Sequence, residues 1–237
     1  MMRKPHVWSV ALICWLAAPL AAAGSYSVHP VLVELSSASP ATTLNVRNRD
    51  QKPVTLQLAV KQWAQPNGED ELNETRDIIA VPPTFTIAPG GSQIVRVGLR
   101  SAHGRDEEQA YRLLLQEIPA TSTAGQGLQL ALNMSLPLFV QPAQSGTARL
   151  EWSARKVDDQ TLMLSVANRG SSHFKFTSWR VMNDERDLGA GAKLRYVLAG
   201  ARQEWRLQPE SLPDIGDTLD IVVISERNEQ RARALVQ

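Results

Sequence analysis

Thiols are almost absent from this chain. Its single cysteine, Cys14, lies in an apolar N-terminal stretch, and residues 15–237 have none. Beyond that stretch there can be no disulfide framework, no cysteine-ligated metal and no thiol nucleophile. Histidine is scarce too: His6, His29, His103 and His173 are far apart, and no pair shows a metal-ligand spacing. Aromatic residues make up 5% of the chain and form no cluster that suggests a sugar platform. Lys and Arg number 25 against 24 Asp and Glu, scattered singly, which argues against a nucleic-acid partner or an anionic membrane surface. No Gly-x-Ser-x-Gly elbow, P-loop or dinucleotide fingerprint occurs. Asp106, Glu107 and Glu108 read as a solvated polar connection rather than an acid/base pair. No enzyme activity and no cofactor are expected.

What is present at the N-terminus is a targeting pattern. Arg3 and Lys4 precede an apolar run over residues 7–20, and Ala21-Ala22-Ala23 offers a small-x-small cleavage site. The run is short for a membrane span, and Gly24 onward turns polar. Residues 1–23 are therefore expected to be a cleaved signal peptide, with periplasmic localisation and no stable membrane insertion. About 214 residues remain, enough for two domains of roughly 100.

Period-2 alternation dominates that remainder. Runs at 27–35, 42–48, 54–63, 84–87, 92–99, 111–118 and 128–140 read as strands, with turn residues such as Pro66-Asn67-Gly68 and Pro89-Gly90-Gly91 between them. No sustained 3.6-residue period appears before residue 140. The pattern predicts an all-β, immunoglobulin-like sandwich over residues 24–141, without the cysteine pair of a true immunoglobulin domain. A polar hinge follows at 142–148. Further strands at 149–157, 161–167, 174–181, 193–197, 204–207 and 218–225 predict a second β-sandwich domain over 149–237. Trp152, Trp179 and Trp205 are expected in its core. Trp63 is expected in the first core or on the floor of a cleft.

The run at 128–140 is the most informative. Every second position is large and apolar: Leu128, Leu130, Leu132, Met134, Leu136, Leu138 and Val140. As one strand it would reach roughly 43 Å, more than twice the usual length. A strand that long can outrun its own sheet and leave an apolar edge, which soluble proteins normally avoid because it recruits other strands. Lending that strand to an incomplete partner is one use for it; a core strand is the other.

Three segments together resemble the periplasmic chaperones of the chaperone–usher pilus pathway. Val81-Pro82-Pro83-Thr84-Phe85 leads into Ile87-Ala88-Pro89-Gly90-Gly91 and then Gln93-Ile94-Val95-Arg96-Val97. Residues 111–119 resemble the family's F1 strand, and 128–142 its G1 strand running into the hinge. The pattern is closest to the divergent, archaic-type branch. The resemblance implies two sandwich domains arranged as an L or boomerang, and a partner set of pilus subunits lacking their final strand together with an outer-membrane usher. It implies that Leu128, Leu130, Leu132 and Met134 are donor side chains. It also points to a cis Val81–Pro82 bond.

The family's usual basic pair for a subunit's terminal carboxylate is replaced here by Leu32 and Pro137. Arg112, on the strand beside G1, is the first substitute anchor and Lys61 the second. Arg96 is expected to pair with Glu108 or Glu226 near the domain junction. Two other classes are weighed: a structural pilus subunit or adhesin, and a generic extracytoplasmic β-sandwich binding module. The first needs a fold missing its seventh strand, which is present at 128–140. The second lacks an aromatic binding platform.

Overall fold

The computed structural model describes residues 26–101, 106–119, 131–226 and 228–237. Ten strands make up the first domain: β1 (Tyr26–His29), β2 (Val33–Leu35), β3 (Ala41–Asn48), β4 (Val54–Ala64), β5 (Glu71–Glu74), β6 (Ile78–Val81), β7 (Thr84–Ile87), β8 (Ser92–Leu99), β9 (Gln109–Ile118) and β10 (Asn133–Val140). They form two sheets, ordered β1-β3-β8-β6 and β2-β10-β9-β4-β5, with β7 also pairing β4. Strand alternation turns Leu44, Val46, Val95 and Val97 of one sheet toward Leu56, Tyr111, Leu113 and Leu138 of the other, all nearly inaccessible.

Residues 141–149 join this sandwich to a second, built from β11 (Leu150–Lys156), β12 (Leu162–Asn168), β13 (Phe174–Asn183), β14 (Arg186–Gly191), β15 (Arg195–Val197), β16 (Arg202–Leu207), β17 (Thr218–Ser225) and β18 (Glu229–Leu235). Its sheets run β11-β12-β16 and β14-β13-β17-β18, with β15 on β13. Trp179 is buried, and Trp152 and Trp205 pack partly buried against the same core. No helix among the described residues is long and apolar enough to cross a membrane.

The stretch read as one strand at 27–35 is two. β1 pairs with β3 in one sheet, whereas β2 pairs with β10 in the other. The chain crosses between sheets at Pro30, which follows a cis peptide bond, as Pro82 does. The burial parity changes with it: Tyr26 and Val28 face the core before the switch, Val33 and Leu35 after it.

Candidate functional site

β10 runs antiparallel to β9 from Asn133–Gln116 to Val140–Gln109 without a register shift. Leu136, Leu138 and Val140 are buried, while Leu132 and Met134 are half-buried at the margin of the same core. The other two expected donor side chains, Leu128 and Leu130, lie outside the described residues.

Among the described residues, the second edge of β10 is only partly covered. β2 lies parallel to it at Leu138–Val33, Phe139–Glu34 and Val140–Leu35, and stops there. Leu132 turns its backbone toward β9, since its carbonyl accepts the Glu117 N–H at 3.2 Å and its own N–H donates to the Glu117 carboxylate at 3.0 Å. Gln141 turns the other way, donating to the Leu35 carbonyl at 2.8 Å. Backbone direction alternates along a strand, so Asn133 and Ser135 point their N–H and C=O groups at the uncovered edge. Pro137 faces that edge as well. Its missing N–H removes nothing from the β9–β10 ladder, which continues through Pro137 opposite Arg112. Pairing with β9 is therefore continuous at Pro137, and only the outer edge loses a donor there.

Arg112 stands outside the core because Tyr111 and Leu113 beside it are buried. It lies in a cross-strand row that runs from Pro137 through Arg112 and Lys61 to Glu74. One row along, Phe139 pairs with Ala110 on the same outer face. That row is covered by the second domain. Trp63 and Phe139, 3% and 0% exposed, belong to the second domain's core cluster. Trp63 meets Tyr196 edge-on at 5.3 Å, and Phe139 stacks on His173 at 3.7 Å. The outer face at Arg112 thus opens onto the cleft between domains, and Trp63 is floor rather than first-domain core.

The Arg112 guanidinium sits over the Trp63 ring, 3.7 Å from its centroid, and 5.8 Å from that of Tyr196. Burial pulls its pKa below the usual guanidinium value, with the nearby Asp70 carboxylate opposing. It remains a cation. Asp70 itself accepts a hydrogen bond from Gln65 Nε2 at 2.8 Å. The cavity here is about 300 Å³ and is lined by Arg112, Ser135 and Pro137 from the first domain and by Lys193, Arg195 and Tyr196 from the second. Lys61, the second candidate anchor, is paired with Glu74 across the β4–β5 ladder and does not line this cavity.

The expected Arg96 ion pair is not formed. Arg96 is exposed on β8, between Thr43 and Val81, on the other sheet. Glu226 pairs with Lys175. Glu108 is not solvated: its side chain is 2% exposed, and its Oε1 lies 2.7 Å from His173 Nδ1 and accepts the His173 backbone N–H at 3.0 Å. The Glu108 N–H donates to the Ser171 carbonyl at 2.9 Å. Gln65 adds a second cross-domain link, donating to the Tyr196 carbonyl and accepting the Leu198 N–H, both at 3.0 Å. Sequence reasoning missed His173 and Gln65 because their partners lie 65 and more than 130 residues away. Among the described residues, no three His, Cys, Asp or Glu side chains group as a metal site.

Residues 25–146 match the family model described as the pili and flagellar-assembly chaperone, PapD N-terminal domain. The chain belongs to this family. The chaperone protein FaeE of Escherichia coli is 31% identical over 103 residues, which are 43% of this chain and 38% of FaeE. The match thus spans well under half of that relative. Solved pilus-chaperone structures share the fold over nearly the whole chain. The chaperone–tip adhesion subunit pre-assembly complex CsuC–CsuE, from archaic chaperone–usher Csu pili of Acinetobacter baumannii, aligns with a TM-score of 0.67 at 19% identity, covering 90% of this chain and 99% of the other. The SafB chaperone in complex with the SafA pilin of Salmonella enterica aligns at 0.61 and 18%, covering 89% and 96%. Like these pilus chaperones, the chain is a two-domain, immunoglobulin-like all-β protein.

Proposed function

We propose that this chain is a periplasmic chaperone that lends β10 to pilus subunits lacking their final strand and passes them to an outer-membrane usher. The uncovered edge of β10 carries the reading. Asn133 and Ser135 offer backbone groups there, and Leu132 and Met134 lie only half-buried on the adjoining apolar stripe. An extended segment lying beside β10 satisfies both: backbone pairing sets register, and alternate side chains set the apolar contact. The expected donor set is Leu128, Leu130, Leu132 and Met134. Each large apolar side chain buried in such a complex contributes about 1.5–3 kcal/mol before ordering costs. Binding of this kind needs no nucleotide. A cleavable signal over residues 1–23 delivers the chain to the periplasm.

In this reading Arg112 holds the subunit's terminal carboxylate. Contact with Trp63 leaves its N–H groups free to form paired bonds to a planar anion. A carboxylate brought to the cleft loses hydration and needs such a partner.

Co-expression with neighbouring secreted proteins tests the function: a small subunit should persist only when this chain is present. Ser135→Pro tests the edge. Its N–H faces outward, so circular dichroism should remain native while subunit recovery drops about tenfold for the lost backbone bond and fixed φ. Met134→Pro, which breaks the internal ladder, should instead destabilise the chain itself. Equal recovery by Ser135→Pro and wild type would end the donor-strand reading. The signal is checked by intact mass of the exported protein, expected to begin at Gly24.

A further inference from the structure

Three cations and one carboxylate line the cleft cavity. Arg112 and Asp70 come from the first domain, and Lys193 and Arg195 from the second. Asp70 already accepts a hydrogen bond from Gln65, itself tied to Tyr196 and Leu198 of the second domain. Among the described residues, none of the three cations has an ion pair. Two positive side chains of one domain therefore share a cavity of about 300 Å³ with a half-buried guanidinium of the other. Like charges around a low-dielectric concavity repel one another and concentrate anions. Arg195 and Tyr196 both line this cavity, and the Tyr196 ring centroid lies 5.8 Å from the Arg112 guanidinium.

We infer that the second domain supplies half of the carboxylate site: Lys193 and Arg195 face Arg112 across the cleft, and the carboxylate that enters draws the two domains together. The inference rests on the donor-strand reading, which brings a chain terminus to this cleft. An anion bridging cations of two domains stabilises the arrangement in which both reach it. By reciprocity, whatever fixes that arrangement strengthens anion binding. The contacts beside the cavity already hold one edge of the junction, through Gln65 and through Glu108 with His173.

The test uses the full chain and a subunit that the wild type captures. Lys193 is exposed and Arg195 half-buried, so Lys193→Gln with Arg195→Gln leaves the core untouched. Because the chain has no cysteine after Cys14, Gln51→Cys and Asp159→Cys place one spin label on each domain. In the wild type, capture should narrow the interdomain distance distribution. The double variant should capture about tenfold less, the worth of a charge-assisted bond, and its distribution should stay as broad as in the free chain. The subunit extended by two residues at its C-terminus should bind the wild type as weakly as the native subunit binds the double variant. Capture and narrowing equal to wild type in the double variant would overturn the inference, leaving strand donation intact if Ser135→Pro still lowers recovery. A wild-type chain that captures no subunit overturns strand donation and this inference with it.

Discussion

Asn48 and Asn168 do equivalent work in the two sandwiches. Each ends its strand fully buried, with its amide nitrogen donating to the carbonyl four residues on: Lys52 at 2.7 Å and Ser172 at 2.8 Å. Each also reaches a carbonyl on a distant strand, Ile87 at 3.0 Å and Val197 at 3.1 Å, and accepts the N–H two residues on, Asp50 at 2.8 Å and Gly170 at 3.0 Å. The domains thus close one corner the same way. The fourth partner differs: Asn168 accepts the Arg149 N–H at 3.1 Å, which fixes the chain as it leaves the hinge, whereas Asn48 reaches the Ala88 carbonyl at 3.3 Å.

The last strands differ. β10 and β18 each pair antiparallel with the strand before them and meet the first part of their domain in parallel near their C-terminal ends, at Val33–Leu35 and at Ala154. On β18 the exposed positions include Glu229, Arg231 and Arg233, with Arg231 bonded to Glu229 at 3.0 Å and Arg233 to Asp220 at 3.0 Å. Charged side chains of this kind keep an edge from recruiting strands. β10 carries Met134 instead, with Leu132 just before its first residue. One architecture holds a guarded edge and an unguarded one, and the side chains make the difference.

The largest effects should come from the shared corner. Asn48→Ala and Asn168→Ala each leave buried carbonyls and N–H groups unpaired, costing about 3 kcal/mol. Urea unfolding followed separately in each domain should show the loss confined to the mutated one. Asn168→Ala alone should also speed amide exchange at Arg149, because only that corner grips the hinge. Equal hinge protection in both variants would break the distinction.

Exchanging the edges comes next. Met134→Arg gives β10 the kind of charge that β18 carries. It should keep the fold, costing about 1–2 kcal/mol for lost apolar burial, and abolish subunit capture. Arg231→Leu with Arg233→Val strips β18. That variant should self-associate with rising concentration in sedimentation velocity, while the wild type does not. A monomeric variant would mean that the β18 edge is protected by something other than charge.

What the sequence revealed follows the same logic. Strands with one face in a core were legible from alternation, as for β3, β4, β8, β9 and β17. β5, β14 and β18 were not, because edge strands bury too little to alternate: all four residues of β5 are exposed, and β18 buries only Ala234. The switch from β1 to β2 leaves a trace in the sequence, since the apolar parity changes across Pro30. At the site, Arg112 could be singled out from its strand, and its neighbours Lys193 and Arg195 could not, because the cleft exists only once two domains meet. Glu108 was misread because a carboxylate in a polar run gives no sign of a buried partner 65 residues on.

The smallest effect sharpens how β10 begins. The start of β18 is set locally, by the Ser225 hydroxyl donating to the Asn228 carbonyl at 2.9 Å and accepting the Asn228 N–H at 3.1 Å. The start of β10 is held from across the core. The Tyr26 hydroxyl, on the opposite sheet, is placed to donate to the carbonyls of Leu115 at 3.0 Å and Leu132 at 3.2 Å. Burial pushes the Tyr26 pKa up to about 12. In the unfolded chain the phenol ionises near its ordinary value of about 10. The folded state therefore binds this proton more tightly. The stability it contributes is complete below about pH 10 and is lost as the pH rises toward about 12. Tyr26→Phe should cost about 1 kcal/mol at pH 7 and flatten the decline in stability between about pH 10 and 12. It should raise amide exchange at Leu132 and leave the Ser225–Asn228 turn unchanged. If the alkaline decline persists in Tyr26→Phe, another group titrates there and the tether is not what sets the beginning of β10.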